Sequence, residues 1–279
     1  MKRYINIHVR CDDELHELAV AVLAPFDFNG IEEAWDELII SFNEEKWNEL
    51  IREQLISTLR RLNPSINISK EEVINDRNWN EEWEKNVQPI IVNNRIGIAP
   101  EWKKSELKRE IEIVINPKMS FGTGDHATTR LVCRMMDALA RPGQFWVDAG
   151  TGTGVLAILA SILGASRVVA FDNNEWSINN ARENFALNGV EDKIELSEED
   201  IDSYEFPECD AIAANLFLNL LLPNFEKFYK ALAPKKGFLL CSGVMKYDLE
   251  DLLEAGKRAG FRHVETLHED EWVGVHFAV

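Results

Sequence analysis

The stretch Asp148-Ala149-Gly150-Thr151-Gly152-Thr153-Gly154 is the part of this sequence best equipped for chemistry. An apolar strand, Phe145-Trp146-Val147, runs into Asp148. Three alternate glycines make a tight turn, and Val155-Leu156-Ala157-Ile158-Leu159 begins a helix. Glycines in such a turn let the backbone approach a ligand closely, and the helix N-terminus presents oriented amides to it. A dinucleotide fingerprint would need G-x-G-x-x-G, and Val155 stands where its last glycine would fall.

Three further polar residues sit at the ends of apolar strands. Arg167-Val168-Val169-Ala170-Phe171 ends in Asp172, 22 residues beyond Gly150. An acid at that place in a doubly wound sheet accepts both hydroxyls of a ribose. Asp200 follows the strand Ile194-Glu195-Leu196 and is placed to face an adenine amino group, with Glu198, Glu199 and Asp202 as competitors for that role. The strand Asp210-Ala211-Ile212-Ala213-Ala214 ends at Asn215, an amide at the carboxyl end of a buried strand, where ligand crevices form.

Those residues need a scaffold, and the hydrophobic pattern supplies one. From about residue 100 the chain repeats strand-then-helix units, the pattern of a parallel sheet covered on both faces. Before it, Tyr4 to Val9 alternates like a strand, and Asp12-Asp13-Glu14 opens a helix that ends before Pro25. Gly30 to Phe42 reads as one or two strands. A second helix from Asn43 carries Trp47, Leu50, Ile51, Leu55, Leu59 and Leu62 on one face and stops at Asn63-Pro64. Ile66-Asn67-Ile68 is a short strand candidate. The expected organisation is therefore a small α+β (ferredoxin-like) domain over residues 1–65, a linker with a helix over 66–100, and an α/β domain over 101–279 with a doubly wound, mostly parallel, Rossmann-like sheet. Trp79 and Trp83 share a face if 80–86 is helical. Packing between domains accounts for them better than ligand stacking does.

The chain carries a formal net charge of −18 over 279 residues, with the acid spread evenly along it. That balance opposes binding to a phosphate backbone, which calls for clustered Lys and Arg. The start of the chain has no apolar leader core, because Asn6, His8 and Arg10 interrupt it, and the longest apolar run is about half of a membrane span. Cys11, Cys133, Cys209 and Cys241 form no CxxC pair and read as reduced, buried thiols. A cytoplasmic protein without metal, membrane or direct nucleic-acid contact is expected.

The order D-x-G-x-G-x-G turn, strand-end acid, strand-end asparagine resembles the class I S-adenosylmethionine-dependent methyltransferases. Just upstream, Phe121-Gly122-Thr123-Gly124-Asp125-His126-Ala127-Thr128-Thr129 closely resembles the F-G-T-G-x-H-x-T-T segment of the PrmA family, which methylates a large-subunit ribosomal protein. Asp76-Arg77-Asn78-Trp79-Asn80-Glu81-Glu82-Trp83, Pro89 and the closing Glu271-Trp272-Val273 are similar to that family as well, so the resemblance spans the chain. It implies S-adenosylmethionine as cofactor, contacted by Thr129, Asp148, Gly150, Gly152, Asp172, Asp200 and Asn215, with Phe121, Gly122, Thr123 and Gly124 folding over its methionine end. It also implies lysine side chains and the N-terminal amine of a ribosomal protein as acceptors. Two places differ from the family's commoner pattern. Ala127 follows His126 where proline is frequent, and Leu216-Phe217-Leu218-Asn219-Leu220 follows Asn215 without the usual Ala and Pro.

Methyl transfer from a sulfonium to an amine needs orientation and dryness more than a nucleophile or a metal. Asn215 is the expected catalytic residue, holding the amine lone pair toward the methyl. His126 is able to take a proton near neutral pH, although stabilising its loop is the simpler role for it. The N-terminal module, which lacks a catalytic constellation, reads as the substrate grip. An enzyme acting on bases of DNA or RNA would show an N-P-P-Y or D-P-P-Y segment, which Asn215-Leu216-Phe217-Leu218 is not. A small-molecule N-methyltransferase shares the same cofactor site, with the separate N-terminal module against it. A scaffold that has lost its cofactor is opposed by intact Gly150, Gly152, Gly154 and Asp172.

Overall fold

Alternation in the first strand is matched by alternation in burial. β1 (Arg3–Arg10) buries Ile5, Ile7 and Val9 beside Leu38, Ile40 and Phe42 of β3 (Glu37–Asn43), its antiparallel partner. With β2 (Gly30–Ala34) and β4 (Asn67–Asn75) they form an antiparallel sheet in the order β2-β3-β1-β4. α1 (His16–Leu23) and α2 (Glu49–Leu59) add Ala19, Leu23, Leu55 and Leu59 to the same core. The second helix is shorter than its apolar spacing suggests. Asn48 is extended and accepts from the Ile51 amide at 3.1 Å, so the helix starts there. Trp47 therefore precedes the helix and packs on Phe42, while Leu50 is 63% exposed.

The computed structural model describes residues 3–75, 87–118 and 120–279, which form two units divided after Asn86. The expected boundaries at 65 and 100 are both displaced, for a hydrogen-bonding reason. β4 runs on to Asn75 because it pairs with the whole of β1, so the first unit extends past residue 65. β6 (Ile96–Pro100) pairs with β5 (Ile90–Ile91) on one side and with β7 (Ile111–Ile115) on the other, which places part of the expected linker in the second unit. The expected connector helix with Trp79 and Trp83 lies outside the described residues.

The second unit is built on a seven-stranded sheet with the order β10-β9-β8-β11-β12-β14-β13. β8 (Phe145–Ala149), β9 (Arg167–Asp172), β10 (Ile194–Glu198), β11 (Ala211–Asn215) and β12 (Phe238–Met245) are parallel. β13 (Arg262–Glu269) and β14 (Trp272–Ala278) close one edge as an antiparallel hairpin against β12. Because both faces of the central parallel strands are covered, β8, β9 and β11 are near-continuous apolar runs, whereas the edge strand β10 alternates. One face packs on α3 (Ala127–Leu139), α4 (Val155–Ile162) and α5 (Glu175–Leu187) through Val132, Leu156, Ile158 and Phe185. The other packs on α6 (Leu218–Leu232) and α7 (Leu249–Ala259) through Leu221, Phe225, Phe228 and Leu252. Among the described residues no helix is long and apolar enough to cross a membrane.

Candidate active site

β8 is the first strand of the large sheet, and the chain then runs to β9 on one side of it and β11 on the other. The crevice at such a switch point lies outside the carboxyl ends of the strands. There a cavity of about 390 Å³ opens, within the range that takes a nucleoside-sized ligand. Its wall brings together residues far apart in sequence: Phe121 and Gly122, Thr129, Gly150 and Gly152, Asp172, Asp200 and Asn215. Trp272, His126 and Leu216-Phe217 complete the wall around them.

The glycine turn hangs from the end of β9, since the amides of Gly150 and Thr151 both donate to the Phe171 carbonyl at 2.9 Å. Gly152 has φ +55°, and a Cβ there would stand 2.3 Å from the Phe121 carbonyl oxygen. Glycine is required because another backbone segment lies against the turn. That segment is the 121–124 loop: the Thr153 amide donates to the Phe121 carbonyl at 2.9 Å, and the Thr153 hydroxyl to the Gly122 carbonyl at 2.7 Å. At Gly150 an added Cβ would strike Leu216 Cδ2 at 2.4 Å, so the residue after Asn215 packs directly on the turn.

Asp148 is not part of the cavity wall. Its carboxylate lies behind the turn, 2% exposed, accepting from the Thr151 hydroxyl at 2.7 Å and the Ala157 amide at 3.0 Å through one oxygen. Burial pushes its pKa up to about 7 against the pull of those two bonds. Asp148, expected among the cofactor-contacting residues, is placed behind the turn and shapes it from there. Thr123 and Gly124 likewise lie outside the wall, Gly124 because it packs on Ile98.

The strand-end acids are held with acceptor capacity to spare. Asp172 accepts from the Gly152 amide at 2.9 Å through one oxygen and from the Asn174 amide at 3.0 Å through the other. A carboxylate has about four lone-pair sites, so each oxygen keeps one for a hydroxyl. Asp200 accepts from the Asp202 amide at 2.8 Å and the Asn173 side chain at 3.1 Å, which lower its pKa and keep it ionised.

Asn215 donates to the Thr129 hydroxyl oxygen at 3.3 Å, and this fixes the amide's orientation. Its Oδ1 is buried without a partner. An unsatisfied buried carbonyl oxygen costs about 1–3 kcal/mol, so this one is suited to accept from an N–H donor. His126 caps α3, with Nδ1 accepting from the Thr128 amide at 3.4 Å and lying 2.8 Å from its hydroxyl. Burial, and then Arg130, lower its pKa. With Nδ1 engaged as acceptor, the ring proton is on Nε2, and the loop-stabilising role accounts for the residue.

Sequence reasoning missed two sets of residues. Asn180 and Asn184 on α5 and Asn188, its C-cap, recur at helical spacing and act as a substitute strand for the free edge of β7. Asn188 exchanges two bonds with Val114, at 2.9 and 2.6 Å. Fully buried Asn184 accepts from the Asn116 amide at 2.7 Å and donates to the Thr153 carbonyl at 2.8 Å, joining the glycine turn to the chain that leads into the loop. Three asparagines at i, i+4 and i+8 on an otherwise buried face were the available signal. Trp272, whose ring meets His126 edge-on at 4.6 Å, carried no signal beyond its resemblance. Among the described residues no cluster of His, Cys, Asp or Glu is arranged to hold a metal, and all four cysteines are buried and free.

A parallel sheet, a glycine turn against its switch point and an acid at the end of the next strand define a class I S-adenosylmethionine-dependent methyltransferase. The family model described as ribosomal protein L11 methyltransferase (PrmA) matches residues 3–279. The chain is 40% identical over 278 residues to a ribosomal protein L11 methyltransferase of Chlorobaculum parvum, covering 97% of this chain and 94% of that one. It is 31% identical over 238 residues to the corresponding enzyme of Staphylococcus saprophyticus, covering 83% and 76%. Among solved structures it is similar to the ribosomal protein L11 methylase of Lactobacillus delbrueckii subsp. bulgaricus, with 27% identity and a TM-score of 0.63 over 68% of this chain and 97% of that one. The chain belongs to the PrmA family of ribosomal protein L11 methyltransferases.

Proposed function

We propose that this enzyme methylates amines of ribosomal protein L11, both lysine side chains and the N-terminal amine, in the cytoplasm. The observation that carries the reading is the buried, unpartnered Oδ1 of Asn215 at the cavity wall. It calls for an N–H donor, and an acceptor amine is one.

The residues present fit S-adenosylmethionine, which when bound supplies an activated methyl on a sulfonium. Asp172 has lone pairs free for two ribose hydroxyls, and Asp200 offers an acceptor for an adenine amine. Gly150 and Gly152 let the turn lie close to the ligand, and Phe121-Gly122 covers it. Asn215, its amide oriented by Thr129, accepts an N–H from the incoming amine and aims the lone pair inward. Phe121, Leu216, Phe217 and Trp272 give the cavity an apolar side against which an amine's carbon chain can lie. Orientation of this kind is worth about 7–11 kcal/mol of barrier, so no covalent intermediate is required.

The first unit has the β-α-β-β-α-β order of a ferredoxin-like module and serves as the substrate grip. A chain charge of −18 favours encounter with a basic ribosomal protein and makes that encounter salt-dependent. Incubation of the purified protein with S-adenosylmethionine and ribosomal protein L11, followed by intact-mass and peptide mass spectrometry, tests the reading. Mass increments of whole methyl groups on lysines and on the N-terminus are expected. An L11 of unchanged mass, in the presence of an enzyme that binds S-adenosylmethionine, would sink it.

A further inference from the structure

The first half of the covering loop is bonded to the glycine turn through Phe121 and Gly122. Its second half needs another anchor, since Gly122 and Gly124 both have positive φ, at +100° and +87°, and little conformation of their own to hold it. One side chain supplies the anchor. Arg130, on the first turns of α3, donates through Nη1 to the Gly124 carbonyl at 3.0 Å and to the Asp125 carbonyl. The other edge of the same guanidinium grips Glu269 at the end of β13, with Nε 2.7 Å from Oε1. Glu269 is held from its far side by Arg134, at 2.6 Å, whose Nε in turn donates to the Val92 carbonyl at 3.0 Å. Three residues on, Trp272 meets the His126 ring, and His126 in turn lies against Phe121 with ring centroids 5.3 Å apart.

We propose that Arg130 is a positioning residue for methyl transfer, a clasp that ties the loop over the cofactor cavity to the β13–β14 hairpin. The guanidinium's planar fork is what the geometry uses: one edge holds two loop carbonyls while the other holds a carboxylate. A lysine reaching Glu269 keeps the ion pair and gives up the loop. A residue that only glued α3 to the hairpin would need Glu269 alone, and the two loop carbonyls would be incidental. The clasp rests on the cavity being the S-adenosylmethionine site, so its test includes a variant of that site.

In the full-length protein, Arg130→Lys and Glu269→Gln are compared with wild type by calorimetry with S-adenosylmethionine, by initial rates, by hydrogen exchange of the amides of 122–126 and by Tm. Loss of charge-assisted bonds to the loop carbonyls should raise Kd and KM for S-adenosylmethionine about tenfold to hundredfold in Arg130→Lys. The fall in kcat should be smaller, the 122–126 amides should exchange faster, and Tm should barely move. Glu269→Gln keeps an acceptor and the side-chain volume but leaves Arg130 and Arg134 without their carboxylate, so it should shift binding and loop exchange the same way by less while lowering Tm. If Tm falls while Kd, KM and loop exchange stay at wild-type values, the pair is merely structural and the clasp is refuted. Asp172→Ala, measured alongside, separates the two readings. Weakened binding there with normal binding in Arg130→Lys refutes the clasp alone. Normal binding in Asp172→Ala refutes the cofactor site, and the clasp falls with it.

Discussion

Asp148→Asn should leave the second unit nearly unchanged below about pH 4 and stabilise it progressively as pH rises from there to about 7. The carboxyl is 2% exposed, one oxygen takes both of its hydrogen bonds, and the other is buried without a partner. Burial raises its pKa from 3.8 to about 7. The folded chain thus keeps a proton that the unfolded chain releases near pH 4. Between those values the native state binds more protons, so the stability this group contributes is fully present below about pH 4 and is lost as pH rises to about 7. At about 1.36 kcal/mol per pH unit the whole interval is worth about 4 kcal/mol. Asparagine is nearly isosteric and keeps an oxygen for Thr151 and Ala157, but has nothing to ionise. Chemical denaturation of both proteins from pH 5 to pH 8 should show the variant gaining on wild type by about 3 kcal/mol, most of it before pH 7. For a unit of this size that is a relative Tm shift of roughly 6–12 °C. All other titrating groups are common to both proteins and cancel. A stability difference that stays constant across that range would refute the claim that Asp148 is protonated in the fold.

Three other substitutions test the site from different sides. Gly152→Ala places a Cβ 2.3 Å from the Phe121 carbonyl at φ +55°. It should cost about 1–2 kcal/mol of backbone strain and push the loop away, seen as weaker S-adenosylmethionine binding by calorimetry. Normal affinity would show that the loop does not cover the ligand. Asn215→Ala should lower kcat about 10²-fold through lost orientation while Kd for S-adenosylmethionine changes little. Retained turnover would remove Asn215 from the chemistry. Asn184→Ala leaves the Thr153 carbonyl and the Asn116 amide without their partner, and should cost at least about 2 kcal/mol in urea titrations. A loss under about 0.5 kcal/mol would mean that water replaces the amide.

What could be read from the sequence, and what could not, divides by the range of the interactions. β8, β9 and β11 were legible because a buried parallel strand is a near-continuous apolar run, with Asp172 and Asn215 closing the last two, and β10 was legible by its alternation. The turn was legible because three alternate glycines have few other uses. β5 and β6 were hidden: Ile96-Gly97-Ile98-Ala99-Pro100 is apolar enough for a strand, but its partner β7 is more than ten residues away and no local pattern announces the pairing. The reach of β4 to Asn75 was hidden for the same reason, since its length is set by β1 at the other end of the unit. α2 was over-extended because apolar spacing continues through Trp47 and Leu62, whereas the helix itself is ended by capping and by backbone conformation.

The same division explains why the glycine turn was identified correctly for an incomplete reason. Close approach to a ligand predicts small residues in the turn, but at Gly152 the nearest obstacle is the Phe121 carbonyl and at Gly150 it is Leu216. Both obstacles come from other segments of the chain, and both segments line the cavity. Glycine here lets the backbone of the loop and the Leu216 side chain beyond β11 close on the turn, and that convergence makes the pocket. Asp148 belongs to the same construction, since its carboxyl holds the turn from behind at the cost of its own ionisation. Residues of this kind are as necessary to the site as those on its wall. A motif in the sequence marks both with the same letters, and only hydrogen-bond partners and burial tell them apart.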